Sequence, residues 1–397
     1  MRRVVTFTNL FPSSVMPTHG LFVHERMHRV AAAGGFDWRV VAPVPAAPWW
    51  LRRGVYRRWA AVPRDETWHG VPVAHPRYRH WPGLSRRRQA AAMAAGARAV
   101  VAAMAAEGPM VLDAHYLWPD GVAAAQLAAE FSLPFTLTAR GSDLNVLAED
   151  RWIAARIAAS AARAAHCFAV SSALCERFAA KAGLSRDRVT LVRNGVDLAR
   201  FRPGDRSAAR RTLGLPADAR LALGVGRLVP GKGFATAVRA LAALPDDVQL
   251  VLVGDGPERR SLEQAGGTRV RCLGNLPPDR TAEAYRAADL FVLPSEREGW
   301  PNVVTEALAS GLRVVATPVG GIPEILGGRA AADVDPRLGA LVAPGDAAAL
   351  ATAVGTLLAR PADAAFVRAF AERYGWDEPV ELLAARFAAL LGAEVTT

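Results

Sequence analysis

Short apolar runs alternate with alanine-rich, helix-forming stretches along this chain, and the plan is laid out twice. In the first half the runs are VVTFTNL, WRVVAP, MVLDAH, PFTLTA, CFAVS and VTLVRNG; in the second they are RLALGVGR, VQLVLVG, RVRCLG, DLFVLPS, RVVATP and GALVAP. A strand that reads as a continuous apolar run is one covered on both faces, the property of parallel sheets joined by crossover helices. Helices are expected after Lys232, Pro257, Pro278, Pro301 and Asp346. The fold expected is α/β, two doubly wound Rossmann-like domains in series facing a central cleft. A chain of 397 residues, 51% hydrophobic and 21% charged, has the length for two such cores. The joint is expected near GVDLARFRPGDRS, giving an N-terminal domain over 1–198 and a second over 199–375. The last helical stretch, about 376–397, is expected to cross back to the first domain.

The N-terminus, MRRVVTFTNLF, carries two arginines, but the apolar run is short and meets Pro12, so it reads as a strand and not a secretory leader. A cytoplasmic location is expected. No stretch approaches eighteen uninterrupted apolar residues, and no spanning helix is expected. Cys167, Cys175 and Cys272 lack metal or disulfide spacing and are expected to be buried thiols.

The net charge of +11 is concentrated. Between Arg52 and Arg88 stand ten arginines against Asp65 and Glu66, a local balance of about +8, and Trp49, Trp50, Trp59, Trp68 and Trp81 lie in or beside them. Arginine mixed with tryptophan suits the headgroup layer of an anionic bilayer, with 49–88 as the contact, and the acceptor would then be lipid-linked. A polyanion or a solvated basic surface fits the same composition; the partners expected do not include nucleic acid.

Ligands of open α/β sheets bind beyond the carboxyl ends of the strands. There SEREGWPNVVTEALASG sets Glu298 in a loop and Glu306 about a turn and a half into a helix, with Pro301 expected at its first helical position. The helix N-terminus between them suits a phosphate or a sugar hydroxyl, and the carboxylates suit sugar diols. The loop GVGRLVPGKGF brings Arg227 and Lys232 to where two cations would neutralise a diphosphate leaving group, and LVGDGPE is a second glycine-rich strand end. Neither loop is a GxxxxGK[ST] phosphate loop or a good GxGxxG. On spacing alone Glu298 could be a capping acid and Glu306 a surface acid; together with these loops the two glutamates describe a nucleotide diphosphate with polyols at both ends.

In the order GRLVPGKGF, LVGDGPE, CLGNLP, PSEREGWPNVVTEALASG, VVATPVGGIPEI and LVAPGD, roughly residues 188–360 closely resemble the C-terminal domain of the family 4 retaining glycosyltransferases of the GT-B fold. That resemblance implies that Arg227 and Lys232 grip the donor diphosphate, Glu298 contacts the transferred sugar and Glu306 binds the ribose. It implies that Gly299, Trp300, Pro301, Asn302 and Val303 face the sugar and phosphate, with Leu276 near the base. Asn194, Gly195, Val196 and Asp197 match the family's NGVD at the hinge side of the cleft, and the resemblance implies that Asn194, Val196 and Asp197, with Gly20, help bind the donor. The first half resembles the family more weakly. FPSSVMPTHGLFVHERMHRV looks like its glycine loop and first helix, with Gly20 allowing close backbone approach. In TLTARGSDLN, Arg140 stands where many members carry a histidine; it cannot be a general base, though it suits a phosphate, while Asp143 or His115 would help hold the acceptor hydroxyl.

HERMH, from His24 to His28, fits the H-E-x-x-H zinc pattern, but such a pattern recurs by chance and sits here on the first helix of an α/β unit, so no metal is expected. No cofactor is expected beyond the nucleotide diphosphate sugar as substrate. The activity expected is transfer of a hexose-type sugar to a hydroxyl acceptor with retention, by a front-face route. Two rival readings are a nucleotide-sugar epimerase and a non-catalytic membrane or polyanion binder. The base, sugar, linkage, acceptor and oligomeric state are not written in the sequence.

Overall fold

The structure, a computed structural model, describes residues 2–51, 54–81, 83, 85–328 and 333–392. Arg52 and Arg53 of the basic segment lie outside the described residues. The chain divides into two compact units, Met1–Asn194 with Trp376–Thr397, and Gly195–Gly375.

The first unit's strands are β1 (Arg3–Phe7), β2 (Asp37–Val41), β3 (Val44–Ala46), β4 (Asp65–Trp68), β5 (Val71–Ala74), β6 (Arg77–Arg79), β7 (Met110–His115), β8 (Phe135–Ala139), β9 (His166–Ala169) and β10 (Val189–Leu191). Among the described residues they form one sheet in the order β10-β9-β8-β7-β1-β2-β5-β4, and β3 pairs separately with β6. All pairings are parallel except β4 with β5. Every residue of β1, β7 and β8 is buried, as central strands covered on both faces require. The helix Leu21–Gly34 lays Val23, Met27 and Val30 into a core shared with Val380, Leu383 and Phe387 of the helix Asp377–Leu390.

The second unit's strands are β11 (Arg220–Val225), β12 (Val248–Val253), β13 (Val270–Gly274), β14 (Leu290–Leu293), β15 (Val314–Ala316) and β16 (Gly339–Leu341). They run parallel in the order β13-β12-β11-β14-β15-β16, the doubly wound arrangement, with the order reversing between β11 and β14. Some of its helices begin on capping carboxylates: Asp205 Oδ1 accepts from Ala208 N at 3.0 Å and Asp346 Oδ1 from Ala349 N at 2.9 Å.

Four expectations need correction. The strands β4 to β6 fall inside the basic segment and β3 just before it, where no strand was expected. Pro301 is the residue before the helix Asn302–Ala309, with extended ψ 101°, and not its first helical position. Cys272 is only half-buried, while Cys167 and Cys175 are buried. The stretch Arg86–Ala106 is a 21-residue helical segment of mean hydropathy 1.3, so one helix does meet the length and composition of a membrane span. Interruption by Gln89 and Arg98 hid it, because alanines raise the mean without forming an unbroken run. Met93, Ala97 and Val101 bury one face of it in the first unit, the pattern of a sheet-covering helix.

Candidate functional site

In the second unit the candidate residues stand on loops that leave the carboxyl ends of β11 and β14. Pro230–Lys232 forms a single tight turn, and Gly233 ends it at φ +69°. A Cβ on Gly233 would lie 2.0 Å from Pro294 O, so only glycine lets the β11 loop rest on the end of β14. Gly231 O also accepts from Glu296 N at 3.0 Å. The loop after β15 closes from the other side: Gly321 N donates to Gly299 O at 2.8 Å, and a Cβ on Gly320 would meet Glu298 O at 2.3 Å.

These contacts bring Lys232 and Glu298 together. Lys232 Nζ donates to Glu298 Oε1 at 2.6 Å, and Ser295 Oγ donates to the same oxygen at 2.8 Å. Thr317 Oγ1 in turn bonds Ser295 O. The Glu298 side chain is 10% exposed and the Lys232 side chain 25%. Arg227 is exposed and forms no side-chain hydrogen bond or ion pair among the described residues. The site thus holds one cation neutralised internally and one open to an anion.

Glu306 is held by a residue that the sequence reading missed. The Tyr285 hydroxyl lies 2.8 Å from Glu306 Oε2 and 3.2 Å from Val303 O. Tyr285 is fully buried, and burial followed by the charge of Glu306 pushes its phenol well above the usual range. The phenol is therefore a protonated donor that fixes one carboxylate oxygen. A tyrosine inside AEAYRAADL reads as core, and only the acceptor eight-residue-motif glutamate opposite it marks it as polar machinery.

Around this pair, Trp300 is 6% exposed with its ring 5.6 Å from that of Tyr374, and Pro301 is buried. Asn302, Val303 and Leu276 are half-buried and Gly299 is buried. Val196 N donates to Tyr374 O at 2.8 Å, and Asp197 Oδ1 caps a turn through Ala199 N and Arg200 N.

The first unit carries a separate buried polar cluster. Asn194 Oδ1 accepts from Arg26 at 2.7 Å and from Arg140 at 2.9 Å. Arg140 also meets His115 Nδ1, and His115 Nε2 lies 2.7 Å from Asp113 Oδ2. Burial lowers the His115 pKa to about 4, which makes it a neutral ring donating to Asp113 and accepting from Arg140. Both nitrogens are engaged within the protein, so His115 orients Arg140. Asp143 is likewise turned inward, accepting backbone N–H bonds from Leu117, Arg140, Gly141 and Leu144 at 2.7–3.2 Å. Burial raises its pKa. Gly20 is buried at φ +68°, where a Cβ would lie 2.2 Å from the Leu10 carbonyl. Its close approach is to its own loop. Asp120, unremarked in the sequence reading, is fully buried; Oδ1 accepts from Asn9 N, and burial raises its pKa to about 8.

The zinc pattern resolves into a ring cluster: His24 stacks on His28 with centroids 5.6 Å apart, and His69 is at the same distance. Among the described residues no group of three or more His, Cys, Asp or Glu is arranged to hold a metal.

A doubly wound parallel unit whose strand-end loops carry two cations and one glutamate, with a second glutamate in the helix that follows, has the form of a sugar-nucleotide transferase domain. Two family models match: "Glycosyl transferases group 1" over residues 219–360 and "Glycosyltransferase Family 4" over residues 50–200. The chain is 34% identical over 332 residues to a Bacillus subtilis (strain 168) protein carrying the name of teichuronic acid biosynthesis glycosyltransferase TuaC, covering 82% of this chain and 83% of that one. It is 39% identical over 222 residues to a D-inositol 3-phosphate glycosyltransferase of Acidothermus cellulolyticus, covering 50% and 47%. Among solved structures, a sucrose-phosphate synthase of Thermosynechococcus elongatus aligns with TM-score 0.77 at 23% identity, over 99% of this chain and 100% of that one. HepE of Anabaena, in complex with UDP-glucose, aligns with TM-score 0.72 at 22% identity, over 98% and 100%. The chain belongs to glycosyltransferase family 4, has the GT-B fold and is a glycosyltransferase.

Proposed function

We propose that the enzyme transfers a hexose-type sugar, with retention, from a nucleotide diphosphate sugar to a hydroxyl on a lipid-linked or cell-surface glycan precursor. The observation that carries this reading is the 2.6 Å pair of Lys232 and Glu298, followed in the chain by the helix Asn302–Ala309 that carries the Tyr285-fixed Glu306: groups suited to phosphate, sugar and ribose. The relative named for teichuronic acid biosynthesis supports the polysaccharide context. We place the enzyme in the cytoplasm, at the inner face of the plasma membrane, where such a precursor is presented.

In this mechanism the bond between the anomeric carbon and the terminal phosphate oxygen breaks. The acceptor oxygen bonds the same carbon from the same face. The acceptor proton passes to the departing phosphate, so that the products are the glycoside and the nucleoside diphosphate. Charge growing on the diphosphate is met by Arg227, by Lys232 and by the positive end of the helix Asn302–Ala309. A front-face route needs no protein nucleophile. Glu298 accepts from the sugar hydroxyls once Lys232 turns to the phosphate, and Glu306 accepts from the ribose. Gly299, Trp300, Pro301, Asn302 and Val303 line the sugar and phosphates, Leu276 lies by the base, and Val196 and Asp197 border the site. On the acceptor side Arg140 meets a phosphate, with Asn194, His115 and Asp143 as positioning residues, and Gly20 sets the loop before the first helix.

The test is a thermal-shift panel of UDP, GDP and ADP on wild type, Lys232→Ala and Glu306→Ala. A ligand at a hundred times its Kd adds about 2.7 kcal/mol to the folded state. One nucleotide should shift wild type and neither variant; a panel in which no nucleotide shifts wild type overturns the reading.

A further inference from the structure

The described residues expose five large apolar side chains, and four of them fall within one stretch of the first unit: Trp49 at 75%, Trp50 at 54%, Val55 at 45% and Trp81 at 47%. An exposed tryptophan is uncommon, because burying so large a ring removes much apolar surface from water. Here they come with a helix, Val55–Ala61, that contributes no buried residue to the unit. Helices of globular proteins are held by an apolar face against a core. This one packs only the half-buried Trp59, against the small cluster of Met16, Val44 and Val62, and is otherwise tied at its side: Tyr56 stacks on His80 with ring centroids 5.8 Å apart, and its hydroxyl lies 3.2 Å from His80 Nε2. Trp81 N donates to Ser85 Oγ at 3.0 Å, and Trp49–Trp50 and Trp81 follow the same ends of the parallel pair β3 and β6.

The charges around the patch are predominantly positive. Arg57, Arg58, Arg64, Arg79 and Arg88 are exposed and form no ion pair among the described residues. Of the two acids, Glu66 is turned inward, bonding His75 Nε2 at 2.8 Å and Ser14 N at 3.0 Å, which leaves Asp65. Exposed indoles flanked by unpaired arginines match a surface that is anionic and has an apolar layer beneath its charges.

We propose that Trp49, Trp50, Val55 and Trp81, with Arg57 and Arg58, form a docking surface for an anionic lipid bilayer. The indoles insert at the headgroup level and the guanidiniums meet phosphates. A soluble polyanion would use the arginines and leave the indoles idle. The inference stands apart from the donor-site reading, since none of these residues belongs to the second unit.

The experiment is cosedimentation of the full chain with vesicles of phosphatidylcholine alone and with a third phosphatidylglycerol. Binding is expected only to the anionic vesicles. Each cation near an anionic surface contributes about 1 kcal/mol and 1.4 kcal/mol is tenfold, so Arg57→Ser/Arg58→Ser should weaken binding by roughly 25-fold. Trp49→Ser/Trp50→Ser should weaken it by at least tenfold at unchanged melting temperature, because both rings are outside the core. Failure to bind anionic vesicles at low salt overturns the proposal, as does binding that neither double variant weakens. Full binding by the tryptophan variant with loss in the arginine variant overturns it in favour of a polyanion site.

Discussion

Lys232 Nζ and Glu298 Oε1 are 2.6 Å apart, so the cation proposed for the donor phosphate and the carboxylate proposed for the donor sugar neutralise each other. A donor that separates them must offer both a better anion and a better hydroxyl donor than each finds in the other. This couples sugar recognition to phosphate recognition within one side-chain pair.

Glu298→Gln keeps the shape and removes the charge. Lys232 is then released to the diphosphate, and the free nucleotide should bind as well as to wild type or a few-fold more tightly. Turnover should fall by about a hundredfold, the usual cost of one preorganised group. Isothermal titration with the nucleotide and steady-state kinetics with the sugar nucleotide separate the two effects, and equal losses in both would contradict the coupling.

Tyr285→Phe leaves the ring packed against Phe201 and Phe291 and removes only the hydroxyl that holds Glu306. A hydrogen bond to a charged group contributes about 1.5–3 kcal/mol. Nucleotide Kd should rise by roughly tenfold or more, with kcat little changed. A fall in kcat at constant Kd would place Glu306 on the reacting sugar and not on the ribose.

Gly233→Ala tests the loop geometry that seats Lys232. The new methyl would stand 2.0 Å from the Pro294 carbonyl, at a φ of +69° that alanine disfavours. A loss of about 2–4 kcal/mol is expected, with the nucleotide shift abolished even at temperatures where the variant is folded. Chemical denaturation and thermal shift read the two effects.

The second unit's sheet was legible in the sequence because β11, β12, β14 and β15, its inner strands, are covered on both faces and read as apolar runs. The strands β3 to β6 were not: β4 and β5 form an antiparallel edge pair, DETW against VPVA, whose polar alternation is hidden among arginines. Lys232, Glu298 and Glu306 stood out because charged residues at strand ends need a reason. Tyr285 and Asp120 did not, since each is buried inside its unit, and what distinguishes them is a partner distant in sequence: Glu306 for one, Asn9 for the other. Residue spacing carries no record of such partners. His115 was legible as a candidate, but the two neighbours that turn it into a positioning group were not.

Stability against pH offers a last test, in which the signs oppose. Burial lowers the pKa of His24 and of His115 from 6.5 to about 4. Between about pH 6.5 and 4 the unfolded chain binds more protons at these two sites, so stability falls as pH falls, by up to about 3 kcal/mol for each ring. Asp120 acts in the other sense. Its carboxyl is raised from 3.8 to about 8, so between those values the folded chain binds the extra proton and stability falls as pH rises. Asp143, also raised by burial, adds to that limb. The two histidines outweigh Asp120 below pH 6.5 and cease to act above it, which puts the stability maximum of these groups near pH 6.5. His24→Leu should flatten the acid limb, since both His24 ring nitrogens are buried without a hydrogen-bond partner among the described residues. Asp120→Asn keeps an acceptor for Asn9 N and should flatten the limb between pH 6.5 and 8. Urea unfolding of the three proteins at pH 4.5, 6.5 and 8 checks both slopes, and a variant curve parallel to wild type in its own window would remove that residue from the account.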